Sequence, residues 1–269
     1  MDEPVVDLLA EEWRSLDDLC SGLTDAEWAR PTDCPGWTVQ DQLAHLIGTE
    51  SMLAGDPPPT PPPGEAPAHV RNEMGRANEA WIAEMRGEPA AAVLERFRQV
   101  TARRLAQLRA AGPEVFDALG PSPVGNVPYR EFMNVRVMDN WAHEQDIRRA
   151  VGRPGHRAGP VVDHSLARFE PAMAFVVGKK AGAPDGASVR FELGGGGGRR
   201  IDVVVREGRA VLADAPDPPT VTLRLEAETW WCLALGRRDG PTARAAGDVA
   251  IEGDTALGAR IIDELSFMI

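Results

Sequence analysis

A chain of 269 residues with a formal net charge of −12 has length for two domains, and its acidity disfavours nucleic acid or an anionic membrane as a general partner. No apolar run approaches the roughly 18 residues of a spanning helix, and the acidic start MDEPVVDLLAEEW lacks a basic signal region, so a cytoplasmic location is expected. Only Lys179 and Lys180 among the 29 basic residues are lysines, a bias typical of a GC-rich genome. The cysteines, Cys20, Cys34 and Cys232, are odd in number and form no CxxC. They support neither a disulfide framework nor a cysteine zinc knuckle, and each reads as a small buried apolar residue.

Val6, Leu9, Trp13, Leu16, Leu19 and Leu23 recur at helical spacing, which predicts an amphipathic helix over 5–23. TDAE at 24–27 is a capping-box pattern. CPGW breaks the chain at Pro35-Gly36, and Thr38, with Asp41 three residues on, caps a helix running to about Leu53. The segment GDPPPTPPPGEAP, 55–67, reads as a stiff polyproline-like spacer, with a lid that gates a site as the other reading. Helical patterns resume over 68–86 and 89–111. Pro121, Pro123 and Pro128 bound a loop, and Pro128 suits the first position of a helix that ends near Val151. Together these segments predict an up-down helical bundle.

The pattern changes between Gly152 and Gly159. One linking helix is expected over 161–182. Strands are expected at SVRFEL, RIDVVV, AVLA, TVTLRL and VAIEG, with a short helix at ETWWCLAL and a final one over 254–267. The five glycines at 194–198 follow a strand, but no Lys-Ser/Thr pair opens a helix after them. They predict a floppy hairpin tip rather than a phosphate loop.

In the helix after Pro128, Phe132, Val135, Asp139, Ala142, Ile147 and Ala150 form the inward stripe, and His143 sits one turn beyond Asp139. A charge on such a stripe costs several kcal/mol unless it is paired or ligated. An acid and a histidine at this spacing form either a helix-surface hydrogen bond or two ligands of a divalent ion. A third ligand must come from another helix, where His45 is the candidate. The stripe of Val39, Leu43, Leu46 and Leu53 leaves His45 on the flank near Thr49 and Met52, which predicts an exposed or half-buried ring. Glu50 lies on the stripe as a buried partner for a histidine or for Arg136. His69, His156 and His164 read as solvated.

Two segments, RPTDCPGWTVQDQLAHLIGTE and RVMDNWAHEQDIRRAVGRP, resemble the mycothiol-dependent maleylpyruvate isomerase family. The resemblance covers the layout of most of the first 155 residues. GDVAIEGDTALGARIIDEL resembles part of the family's sterol-carrier-protein-like C-terminal domain. The fold implied is α+β with two domains: a DinB-like four-helix metal-binding bundle at 1–155, then a smaller sterol-carrier-like α+β domain with an antiparallel sheet at 156–269. The resemblance also implies Zn2+ or another divalent metal held by His45, Asp139 and His143, with aspartate where the family's isomerase has the longer glutamate. Three protein ligands leave a catalytic position open. By the same resemblance, mycothiol binds there through its thiol as thiolate. It either adds reversibly to an activated double bond, giving cis–trans isomerisation, or displaces a leaving group in S-transfer.

The expected partner is a small electrophilic substrate, with no nucleic acid or membrane, and the chain a monomer or homodimer. A C-terminal-domain arginine of the family maps to Arg237, for which a helix C-terminal role is the alternative. Trp37, Trp141, Trp230 and Trp231 either line a pocket or pack a core. Two other readings stand beside the enzyme. One is a non-catalytic binding protein for an apolar ligand with a structural metal site; the other is a metal-stabilised bundle without activity.

Overall fold

The computed structural model describes residues 3–61, 63–64, 67–70 and 72–267. It divides into two compact units, Met1–His156 and Arg157–Ile269. The first unit contains α1 (Pro4–Ser21), α2 (Asp25–Trp28), α3 (Val39–Leu53), α4 (Glu73–Met85), α5 (Ala90–Ala110) and α6 (Pro113–Asp117). The strands β1 (Leu119–Ser122) and β2 (Gly125–Pro128) and the helix α7 (Tyr129–Val151) follow. Full capping boxes start two of these helices: Thr24 with Glu27 on α2, and Thr38 with Asp41 on α3. Such a cap is worth about 1 kcal/mol. Gly152 ends α7 in the left-handed conformation at φ 70°.

Helix α3 packs against α4, α5 and α7, while α7 also packs against α1. The two are therefore inner rods. Every α3 residue from Asp41 to Gly48 is buried, so a single apolar stripe does not describe that helix. His45, expected to be exposed or half-buried on the flank, is only 7% exposed.

Gly48 marks the closest approach of α3 and α4: a Cβ there would lie 2.6 Å from the Trp81 Cβ. Gly48→Ala is expected to cost about 1–3 kcal/mol through overpacking, read as a lower denaturant midpoint at unchanged slope. An unchanged midpoint would mean that α4 gives way freely.

The expected loop at 121–128 is a hairpin instead, with Leu119 opposite Pro128 and Ser122 opposite Gly125. Its prolines are tolerated because each strand of a two-stranded ribbon has an open edge. Helix α4 starts later than expected, with Asn72 accepting from the Gly75 amide as its cap. The proline-rich segment 55–67 lies partly outside the described residues, at 62, 65 and 66, and the rest of it carries neither helix nor strand.

The second unit runs α8 (Pro160–Ala167), α9 (Glu170–Phe175), a π turn over Val176–Lys180, β3 (Ser188–Gly194), β4 (Arg199–Arg206), β5 (Arg209–Leu212) and β6 (Val221–Glu226). It closes with α10 (Ala227–Ala234), α11 (Gly240–Ala245), β7 (Val249–Gly253) and α12 (Thr255–Asp263). The sheet order is β5-β4-β3-β6-β7. Its pairings are antiparallel except for the central β3–β6 pair, which is parallel.

The single linking helix expected over 161–182 is broken after Ala167. Pro171, in the first turn of α9, has no amide hydrogen with which to continue α8. The glycine run forms the β3–β4 hairpin tip, but it is packed rather than floppy. A Cβ on Gly196 would lie 2.6 Å from the Arg157 Cβ, and one on Gly197 2.5 Å from the Leu166 Cδ1. Among the described residues no helix is long and apolar enough to cross a membrane.

Candidate metal centre

Helix α7 is buried on nearly every side, so it must bury charged residues in pairs. Residues three or four apart share a face, and this creates two polar stripes. Asp139, His143 and Asp146 meet α3 and the turn before it. Asn140, Glu144 and Arg148 meet α1, where Trp13 Nε1 donates to Asn140 Oδ1 at 3.1 Å and Ser15 Oγ to Glu144 Oε1 at 2.6 Å.

On the first stripe His45 Nε2 lies 3.4 Å from Asp139 Oδ2, and His143 Nε2 lies 3.6 Å from Asp139 Oδ1. The two imidazole centroids are 4.7 Å apart. One ligand atom from each of the three side chains falls within 4.8 Å of the others. Both histidines are buried, whereas Asp139 keeps 29% of its side-chain exposure, so solvent reaches the cluster from the carboxylate side.

The tautomer of His143 is set from behind. Its Nδ1 bonds Gln42 Oε1, and the Gln42 amide is oriented by its Nε2 donating to Thr32 Oγ1 at 2.7 Å. Nδ1–H is thereby the donor, and the Nε2 lone pair faces Asp139 and His45. Asp139 is oriented by Arg136. Arg136 Nε donates to Glu50 Oε1 at 2.9 Å, and Arg104 Nε to Glu50 Oε2 at 3.1 Å. These charges are all but fully buried. Glu50 thus serves Arg136 rather than a histidine.

Burial opposes ionisation of Asp139, but Arg136 and His143 hold its carboxyl well below the usual range. Burial likewise opposes a charged His143, yet Asp139 outweighs it and raises the ring well above its ordinary value. Burial keeps His45 below its ordinary value despite Asp139, so that ring is neutral. A divalent ion at this cluster must therefore displace the His143 proton. Affinity for Zn2+ is expected to fall as pH drops below the raised His143 value. Calorimetric titration in buffers of different ionisation enthalpy should register about one proton released per ion. Zero release would mean that the ring is already neutral.

Trp37 covers both rings, with centroids 5.3 Å from His45 and 5.9 Å from His143. It is placed by the Pro35-Gly36 turn, where Gly36 has φ 79° and the Trp37 amide donates to the Cys34 carbonyl at 3.0 Å. Its Nε1 donates to Glu79 at 2.7 Å, and His69 bonds the same carboxylate at 2.8 Å. Trp141, Trp230 and Trp231 are fully buried core residues.

Cys34, His143 and Asp146 form a further ligand-like group, but His143 Nδ1 is already taken by Gln42. Cys34 Sγ donates to Asp146 Oδ2 at 3.3 Å, so this cysteine is a polar support rather than apolar filler. His69 and His156, read as solvated, are both tied to carboxylates. Arg237 lies in the second unit just past α10, its Nη1 donating to the Leu235 carbonyl at 3.1 Å. Sequence reasoning missed Gln42, although it lies one turn before His45, and Asp146, one turn after His143.

Two imidazole nitrogens and an ionised carboxylate, oriented from behind by Gln42 and Arg136, are a donor set that fits zinc or a similar ion. Fold and site together define the class: an α+β chain whose helical bundle carries a His–Asp–His cluster able to hold a divalent ion. The model of the mycothiol maleylpyruvate isomerase N-terminal domain matches residues 9–148, and the chain belongs to that family. The SCP-2 sterol transfer family matches residues 179–264.

A crystal structure of mycothiol-dependent maleylpyruvate isomerase shares the fold, with TM-score 0.57 and 18% identity over 94% of this chain and 93% of that one. A mutant of the same enzyme gives 0.56 and 17% over the same shares. Uncharacterised proteins from two Mycobacterium tuberculosis strains are 31% identical over 154 residues, 55% of this chain. The chain spans about half the length of these curated relatives, 56%.

Proposed function

We propose that this protein is a mycothiol-dependent enzyme that holds a divalent ion, zinc foremost, through His45, Asp139 and His143. Its reaction is isomerisation or S-transfer on a small electrophilic substrate in the cytoplasm. The observation that carries this reading is the convergence of those three side chains from α3 and α7 in a bundle of this family. When bound, the ion supplies a Lewis-acidic position at which a thiol is held as thiolate near neutral pH.

The chain's own residues prepare that position. Gln42 keeps the His143 Nε2 lone pair aimed at the centre. Arg136 keeps Asp139 ionised and in place. Glu50 and Asp139 offset Arg104 and Arg136. With His143 neutral, the ion's positive charge is therefore uncancelled and favours anionic ligands. The Trp37 ring and the burial of both histidines keep water off one side.

Arg237 is proposed to bind a carboxylate of the substrate or cofactor. Arg237→Ala is expected to raise KM by roughly tenfold with a smaller change in kcat, as for loss of uniform binding. Unchanged steady-state constants would leave Arg237 as a cap on α10 alone.

The test of the whole reading is an assay of zinc-loaded protein against a panel of electrophiles that includes maleylpyruvate. Turnover is expected with mycothiol and not without it. The sterol-transfer match of residues 179–264 favours a second reading, binding of an apolar ligand. Apolar-ligand binding with no thiol-dependent turnover of any electrophile would replace the first reading by the second.

A further inference from the structure

On the α1 side of α7 a separate group of ligand atoms converges. Glu12, Glu144 and His156 each offer one, all within 4.8 Å of one another. His156 Nδ1 lies 2.6 Å from Glu144 Oε2 and 3.4 Å from Glu12 Oε2. Both carboxylates are completely buried. Glu144 directly follows His143, but one residue along a helix is about 100° around it, so the two clusters share no side chain.

The partners of the two glutamates differ. Glu144 Oε1 accepts from Ser15 Oγ at 2.6 Å and from Arg148 Nε at 2.8 Å, which leaves Oε2 turned toward His156. Glu12 lies in the buried stripe of α1 with Leu9, Trp13 and Leu16. Neither of its carboxylate oxygens makes a hydrogen bond of regular geometry among the described residues; its polar neighbours are the His156 ring, at 3.4 Å, and the Glu144 carboxyl. A buried carboxyl group so weakly partnered costs several kcal/mol if ionised, so something that accepts its lone pairs belongs beside it.

The third ligand is held independently. His156 has a left-handed backbone at φ 49°. Its carbonyl accepts from Trp141 Nε1 at 3.1 Å and Gln145 Nε2 at 3.3 Å. The ring is therefore presented to the glutamates by the backbone around it.

We infer that Glu12, Glu144 and His156 bind a second divalent transition-metal ion, tying α1 to α7 and to the segment that follows α7. Two carboxylates and one imidazole suit Zn2+ or Mn2+. Ser15 and Arg148 orient the Glu144 ligand from behind, as Gln42 orients His143. At this cluster two carboxyl groups meet one guanidinium, that of Arg148, which suits a cation.

A proton is the rival occupant, since burial and Glu144 push the Glu12 carboxyl well up. It would serve only one of the two Glu12 oxygens.

The test is metal content by mass spectrometry after loading the full-length protein with Zn2+ or Mn2+ and desalting. His143→Ala, which removes a ligand of the first cluster, is expected to retain a tightly held ion that the added change Glu12→Gln removes. Glu12→Gln alone, an isosteric change, is expected to lower bound metal about twofold, from two ions to one. A His143→Ala protein that holds no ion overturns the inference. So does an ion that Glu12→Gln leaves in place, or a metal content that Glu12→Gln alone does not change.

Discussion

His143→Ala is expected to abolish stoichiometric ion binding at the His45–Asp139–His143 cluster and, with it, thiol-dependent turnover. The expected fall in kcat/KM is on the order of 1,000-fold or more, about 4 kcal/mol of transition-state stabilisation. His143 supplies one of the two imidazoles of the cluster, and the two side chains left, His45 and Asp139, would hold an ion far more weakly than three. Gln42→Leu should be milder, about 10–100-fold, because it frees the ring without deleting it. Metal analysis must accompany the kinetics. A His143→Ala enzyme that turns over at the natural rate with thiol and electrophile would remove the cluster from the mechanism.

The largest expected effect on stability is that of Glu50→Leu. Glu50 accepts from Arg104 on α5 and from Arg136 on α7, at 3.1 and 2.9 Å, with all three groups almost wholly buried. Removing the carboxylate leaves Arg104 with the Tyr129 hydroxyl and the Gln107 amide oxygen as side-chain oxygen acceptors. It leaves Arg136 with Asp139 as its one carboxylate among the described residues. Breaking a buried pair in this way costs about 3–5 kcal/mol, a large part of the 5–15 kcal/mol typical of a whole protein. Chemical denaturation should show a midpoint lowered accordingly, or a protein that does not fold. Adding Arg104→Met should recover part of the loss, because it removes a charge left without its anion. A Glu50→Leu midpoint equal to the natural one would mean that both guanidinium groups reach water.

The order of helices and strands was legible because the apolar periods were strong, as in Val6–Leu9–Trp13–Leu16 and in RIDVVV. The hairpin at 119–128 was not, since its prolines argue locally for a loop, and only pairing across the turn overrides them. The Asp139–His143 spacing could be read one-dimensionally because both residues lie on one rod. His45 could not be placed from the wheel, since α3 is enclosed on all sides from Asp41 to Gly48 and a flank position there is as buried as a stripe position. Glu12 escaped notice for a related reason. Leu9, Trp13 and Leu16 already explain that face of α1, and its partners arrive more than a hundred residues later.

Glu50, Arg104 and Arg136 come from three different helices and fasten them to one another without any help from an ion. The bundle therefore has its own internal girder, and an ion at the neighbouring cluster, as proposed, would exchange without the scaffold coming apart. On the proposed metal reading, which cation binds there is then governed by supply in the cell as much as by folding, and loading cobalt into the intact protein becomes a practical spectroscopic test of the site.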